Sequence, residues 1–259
     1  MTLIQDVAIL VPSCDKYSDL WVPLFKTLRR QWKSCPFQVY LISNHLDYRD
    51  HGVTTIRIGE DQTWSANLIR ALAYIPHTYV LLFLDDFFLK TIVDEKQVKN
   101  LIERCVAEKW DYVRLNPTPG APRAQSVGNG VGLILSDDLY RPSTVMSVWR
   151  KSVLLDVLDS RENAWELEIF GGSRTDKYKQ WYASENWNLP YYNLVIKGKI
   201  DPFALSKIRA SGTRVVSDRP VMSSFEASRL LLRRIRHSLF NKIIPRNIRR
   251  KVRSWFAAV

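Results

Sequence analysis

The chain has 259 residues, 46% apolar and 25% charged, with a net charge of +12. That composition suits one α/β domain, alone or with a small appendage, and excludes a disordered or collagen-like chain. The longest apolar run, residues 79–84, falls far short of the roughly 18–20 residues needed to cross a bilayer. Asp6 interrupts the N-terminal apolar stretch, so neither a transmembrane helix nor a cleaved secretory signal is expected.

The first half alternates strand and helix patterns. Residues 7–11 form a continuous apolar run, as a buried parallel strand does. Pro12-Ser13-Cys14-Asp15 reads as a loop. A helix is predicted from Ser18 or Asp19 to Trp32, with Leu20, Leu24, Phe25, Leu28 and Trp32 as its apolar stripe. Strands are predicted over 37–42 and 54–58, then a turn at Gly59-Glu60-Asp61 and a helix over 64–75. A strongly apolar strand over 79–84 ends in Asp85-Asp86, followed by a helix over 96–108 and a strand over 112–115. Such alternation predicts a mostly parallel sheet covered by helices. The second half is less regular. It holds a Pro/Gly-rich loop over 116–123, a turn and strand over 128–135, a helix over 151–158, and a Trp/Glu-rich segment over 162–172.

Several chemistries are excluded. Neither GxGxxG nor GxxxxGK[ST] is present, which removes the dinucleotide fingerprint and the P-loop. Cys14, Cys35 and Cys105 are odd in number and irregularly spaced, so no disulfide framework or zinc site follows. The four histidines are scattered.

In open α/β sheets, ligands bind beyond the carboxyl ends of the strands. Three polar clusters fall there: Ser13 and Asp15, Ser43 and Asn44, and Asp85 and Asp86. The last is the most informative. Adjacent carboxylates at the end of a buried strand repel each other unless a cation or hydrogen-bond donors compensate. Mg2+ or Mn2+ carrying a diphosphate would do so, since both take oxygen ligands. A local Asx turn is the structural alternative.

Three segments together carry a resemblance: residues 10–17 (LVPSCDKY), 64–72 (WSANLIRAL) and 82–89 (LFLDDFFL). They resemble GT-A glycosyltransferases, above all small bacterial enzymes of surface-polysaccharide assembly, over residues 5–200. The resemblance implies a GT-A, Rossmann-like α/β fold and a nucleotide-sugar donor. It implies base and ribose contacts from Ser13, Asp15 and Asn44, with Asp61, Trp64 and Ser65 lining the same pocket. The acidic pair resembles that family's Asp-x-Asp motif, with Asp86 as metal ligand and Asp85 turned to the ribose. An inverting transferase also needs a base. Glu162, Glu166 and Glu168 are the candidates. Placing Glu162 and Glu166 on one helical face beside Trp165 favours Glu166, because apolar surroundings raise a carboxylate pKa. A Trp-x-x-Glu pattern implied by the resemblance favours Glu168. Trp165, Trp181, Trp187, Tyr191 and Tyr192 are candidates for stacking on sugar faces.

The excess charge is local. Residues 1–226 hold 28 basic and 26 acidic residues, whereas ten Lys/Arg fall between Arg229 and Arg253 with no acid among them. Leu232, Ile235, Leu239 and Ile243 recur at helical spacing, and Pro245 precedes a second segment ending in Trp255-Phe256. This pattern predicts a basic amphipathic helical tail over 226–259 lying on an anionic membrane surface. The expected organisation is therefore a catalytic body over 1–225, with a donor half up to 116 and an acceptor half after it. The body would work at the cytoplasmic membrane face on a glycan or lipid-linked acceptor; no nucleic acid is expected. The alternatives are a sugar nucleotidyltransferase, or a non-catalytic adaptor on a transferase-like body.

Overall fold

The computed structural model describes residues 3–117, 124–136, 138 and 140–230. The expected tail beyond residue 230 lies outside them.

Among the described residues, nine strands form one sheet in the order β3-β2-β1-β4-β9-β6-β10-β8-β7. The strands are β1 (Val7–Val11), β2 (Gln38–Ser43), β3 (Val53–Arg57), β4 (Tyr79–Leu82), β6 (Tyr112–Arg114), β7 (Gln125–Ser126), β8 (Val131–Leu133), β9 (Ser147–Arg150) and β10 (Trp181–Ser184). β1 pairs in parallel with β2 and β4, β2 with β3, and β6 with β10. β9 runs antiparallel between β4 and β6, and β8 antiparallel to β10. The sheet is thus mostly parallel, as the alternation predicts. The reversed β9 lies between β4 and β6, which run in the same direction.

A pair of short strands stands apart: β5 (Phe87–Leu89), directly after the acidic pair, is antiparallel to β11 (Tyr191–Asn193). A second small hairpin joins β12 (Val195–Ile196) to β13 (Lys199–Ile200).

The core has two halves because strand side chains alternate faces. Val7, Ile9 and Val11 join the cluster beneath α1 (Ser18–Gln31) and α3 (Glu95–Ala107). Ala8 and Leu10 join the opposite cluster beneath α2 (Trp64–Leu72), α4 (Lys151–Val157) and α5 (Ala164–Phe170). β4 alternates likewise: Tyr79 and Leu81 face one cluster, Val80 and Leu82 the other.

Caps set where the helices start. Thr63 accepts from the Ala66 amide at the start of α2, and Asp94 from Gln97 at the start of α3. Asn163 and Glu166 form a reciprocal capping box on α5. Asp201 caps α6 (Pro202–Ala210), whose first residue is proline. α1 differs from expectation. Ser18 is its first residue rather than its cap, because a 3-10 turn over Asp15–Tyr17 feeds straight into it.

Candidate active site

The strand order reverses at β1: β2 lies on one side and β4 on the other. That switch point opens a crevice at the carboxyl ends of the strands. Here it is a cleft of about 390 Å³. Its floor and walls include Ser13, Tyr17, Asp61, Trp64, Asp85 and Asp86.

Ser13, after β1, donates to Asp85 Oδ2 at 2.5 Å and accepts from Trp21 Nε1 at 2.8 Å. Trp21 is buried in α1, so the helix fixes the serine and the serine fixes the acid. Asp85 and Asp86 are both half-buried, three and four residues beyond β4, in a turn in which the Phe87 amide donates to the Leu84 carbonyl at 3.1 Å. Burial pushes Asp85 above the ordinary aspartate range, while its bond from Ser13 and the charge of Arg219 pull it back. Burial and then the charge of Asp85 push Asp86 well above it. The backbone here is held by the second half, since the Leu194 amide donates to the Asp86 carbonyl at 2.8 Å.

The opposite wall is built by the turn after β3 and the start of α2. Arg70 donates to the Ile58 and Glu60 carbonyls, pinning that turn to the helix. Asn67 Nδ2 then donates to Asp61 Oδ1 at 2.7 Å, and the Gln62 amide donates to Asn67 Oδ1 at 3.1 Å. Asp61 and Trp64 thereby face the acidic pair across the cleft.

Three expected contacts take other places. Asp15 does not line the cleft. Its carboxylate accepts from the Asn44, His45 and Leu46 amides, and its own amide donates to Asn44 Oδ1. Asn44 Nδ2 donates to the Gly59 carbonyl. This pair bolts the loop after β1 to the ends of β2 and β3, so both side chains are taken up by structure. Ser65 is fully buried on the inner side of α2, and its amide donates to the Glu162 carbonyl.

The three glutamates have separate jobs. Glu162 forms a bidentate ion pair with Arg174, whose Nε also holds the Val157 carbonyl. Glu166 caps α5 through the Asn163 amide. The apolar shielding expected for Glu166 is missing, because Trp165 is 63% exposed. Glu168 is the shielded one. Its Oε1 accepts from Ser143 Oγ, the Thr144 amide and Thr144 Oγ1 at 2.8–3.1 Å, and Oε2 takes none of these bonds. Burial raises its pKa, and the hydrogen bonds from Thr144 and Ser143, then the Arg114 charge, oppose the rise. Arg114 itself is buried at the end of β6. Glu168 does not itself line the cleft; it lies one helical turn beyond Ala164, which does, on the same face of α5.

The aromatic candidates divide too. Trp181 is core: it stacks on Tyr112 at 4.6 Å and lies under the Arg141 guanidinium. Tyr191 stacks on Phe87 at 4.1 Å, bracing the segment after the acidic pair. Trp187 is half exposed.

Two residues, one lining the cleft and one packed on it, carry a role that sequence patterns do not mark. Tyr17 forms part of the mouth, and Arg219 lies over its ring at 4.1 Å. Arg219 is held by Asp19 and by the Lys16 carbonyl, and it brings a fixed positive charge to the side of the cleft where the two acids sit.

Asp85 and Asp86 offer hard oxygen donors, which fit Mg2+ or Mn2+. Among the described residues no group of three or more His, Cys, Asp or Glu surrounds a common point.

No family model matches the chain, and no curated protein does. Solved structures do. S. aureus TarS 1–349 in complex with UDP aligns with a TM-score of 0.50 and 12% identity, covering 92% of this chain and 75% of that one. The same protein with UDP-GlcNAc aligns at 0.50 and 13%, covering 72% and 57%, so the chain spans little more than half of that relative's length. A cytidylyltransferase from Leptospira borgpetersenii aligns at 0.50 and 14%, covering 90% and 96%. These are likenesses of fold alone: a large, mostly parallel α/β sheet flanked by helices.

Proposed function

We propose that the chain is a glycosyltransferase that moves a sugar from a nucleotide-sugar donor to an acceptor hydroxyl with inversion. One observation carries this reading. Two adjacent carboxylates at the switch point face a cleft large enough for a nucleotide, at the place where such sheets bind phosphates. The fold likeness to UDP- and UDP-GlcNAc-bound TarS supports it.

Asp61 and Trp64 take the nucleoside side of the cleft. Ser13 and Asp85 take the ribose. Asp86, with Asp85, would hold Mg2+ or Mn2+, which would supply charge neutralisation for the departing diphosphate. Glu168 acts as base. It receives the acceptor's proton at Oε2 as the acceptor oxygen bonds to the anomeric carbon. The bond from that carbon to the diphosphate breaks, and the nucleoside diphosphate leaves with the electron pair. The three donors on Oε1 orient the carboxylate, and burial lifts its basicity toward the working pH.

The basic segment after Arg229 fits docking on an anionic leaflet where a lipid-linked acceptor lies. A cytoplasmic, membrane-peripheral setting in cell-surface polysaccharide synthesis follows from that reading.

The cytidylyltransferase likeness favours a second reading, a sugar nucleotidyltransferase. Such an enzyme needs a Gly-rich, Arg-containing loop after the first strand to grip a triphosphate, and here that loop is Pro12-Ser13-Cys14-Asp15. Product analysis separates the two. A glycosyltransferase releases nucleoside diphosphate from a nucleotide sugar. A nucleotidyltransferase instead releases pyrophosphate from a nucleoside triphosphate and a sugar phosphate.

A further inference from the structure

The C-terminal part of the body carries a surface that the cleft chemistry does not use. Residues 202–217 hold three cations, Lys207, Arg209 and Arg214, and no acid. Residues 209 and 212–217 line an open concavity of about 660 Å³. Arg209 donates through Nη2 to the Val215 carbonyl at its edge. Arg214 is exposed and has no ion pair among the described residues. Val216, which lines the concavity, is 64% exposed. Two further large apolar side chains in this part of the chain stand out from the core, Phe203 on α6 at 63% and Phe225 at 67%.

The segment is firmly attached. Thr213 meets Thr27 Oγ1 at 3.0 Å and accepts from Arg30. Four residues on, Ser217 donates to Asp19 Oδ2 at 2.5 Å. It therefore runs along α1, a span of about 12 Å for the eight residues from 19 to 27. Val221 bridges to Ile200 at its far side. Phe203 packs edge-on to Tyr192, whose neighbour Tyr191 stacks on the residue following Asp86. These ring contacts link α6 to the segment that follows the acidic pair.

We propose that the face made by α6 and residues 211–217 is where the folded body meets an anionic lipid bilayer. Arg209 and Arg214 receive headgroup phosphate in the concavity, while Phe203 and Val216 enter the interface. Exposed aromatic and aliphatic side chains interleaved with cations match that environment from both sides. The position of the surface fits as well. The chain leaves it through Phe225 and Arg229 into a segment that holds nine more cations. A body docked this way has a fixed orientation, which sets the cleft at a defined height above the lipid. The inference does not rest on the transferase reading, because its test uses no turnover.

Full-length protein is sedimented with vesicles of 30% phosphatidylglycerol in phosphatidylcholine, and with phosphatidylcholine alone. The expected result is binding to the anionic vesicles, weakened about ten- to thirty-fold in Arg209→Gln/Arg214→Gln, as two surface cations near anionic lipid should give. Phe203→Ser/Val216→Ser should lose the binding that survives 0.5 M salt. Hydrogen exchange on wild-type protein should show vesicle-dependent protection of residues 203–217. All four positions are exposed, and unchanged Tm values check folding. Equal vesicle affinity of both double variants, or no protection of 203–217, overturns the proposal and leaves the tail as the sole contact. A Tm rise with inorganic phosphate that Arg209→Gln/Arg214→Gln abolishes, without any loss of vesicle binding, overturns it in favour of a soluble phosphate ligand.

Discussion

Ser13 and Asp85 lie 72 residues apart and meet in a 2.5 Å hydrogen bond across the point where the strand order reverses. That bond joins the loop after β1 to the turn after β4, and Trp21 locks it from behind. Its removal gives the first test. Ser13→Ala leaves Asp85 without its main donor and Trp21 Nε1 without its acceptor. A hydrogen bond to a charged group contributes about 1.5–3 kcal/mol. Nucleotide-sugar affinity should therefore fall about tenfold or more, read by calorimetric titration. Unchanged affinity would show that the bond serves the fold alone.

The acidic pair makes a prediction about stability with a definite sign. Both carboxyl pKa values are raised by burial, and that of Asp86 also by Asp85. The folded protein therefore holds more protons than the unfolded chain between about pH 4 and the raised values. Stability is greatest below that window and falls as pH rises through it. Asp86→Asn removes one of the charges, so its Tm should exceed wild type by a few degrees at pH 7.5 and match it at pH 3.5. Its donor turnover should drop at least 100-fold. A lower Tm at pH 7.5 would place the pair in a stabilising local turn instead.

Glu162 and Glu168 should separate cleanly in a paired experiment. Glu162→Gln breaks the ion pair with Arg174 and should cost about 1–3 kcal/mol, seen as a lower Tm with turnover per folded molecule unchanged. Glu168→Gln keeps an oxygen for Ser143 and Thr144 but cannot take a proton. Its kcat should fall about 10²–10⁴-fold with donor Kd unchanged. The wild-type acidic limb of kcat should lie above the ordinary glutamate range, because burial raises this carboxyl.

Arg219 offers a fourth test. Its charge lowers the pKa of both aspartates and it stacks on Tyr17 at the cleft mouth. Arg219→Met should weaken binding of a nucleoside diphosphate more than binding of the free nucleoside. Equal losses for both would assign Arg219 to packing on Tyr17.

The first half of the fold is legible in the sequence because its strands are continuous apolar runs separated by helices with clear stripes. β1 and the start of α2 fall where those patterns place them. β9 is not legible: four residues, Ser147–Arg150, carry too short a period to show, although they sit in the middle of the sheet. β5, three apolar residues directly after the acidic pair, is too short to read as a strand, and only its pairing with β11 shows it. Within the site, the acidic pair follows from strand-end position, whereas Asp61 and Trp64 come only from the family resemblance. The glutamates do not sort themselves by helical face, since that reasoning needed Trp165 buried and it is exposed. Asp15 and Asn44 carry polar groups at strand ends for a structural reason that only their mutual hydrogen bonds reveal. Arg219 acts through Asp19, 200 residues away, and leaves no local pattern.

The most direct measurement is calorimetric titration of UDP-, GDP- and dTDP-sugars, with Mn2+ present, into wild-type protein and Asp86→Ala. One of these donors should bind wild type saturably, and its affinity should fall at least tenfold in Asp86→Ala while the variant keeps its fold. Absence of binding by any of them, or equal affinity in the two proteins, would contradict a pyrophosphate grip by the acids that follow β4.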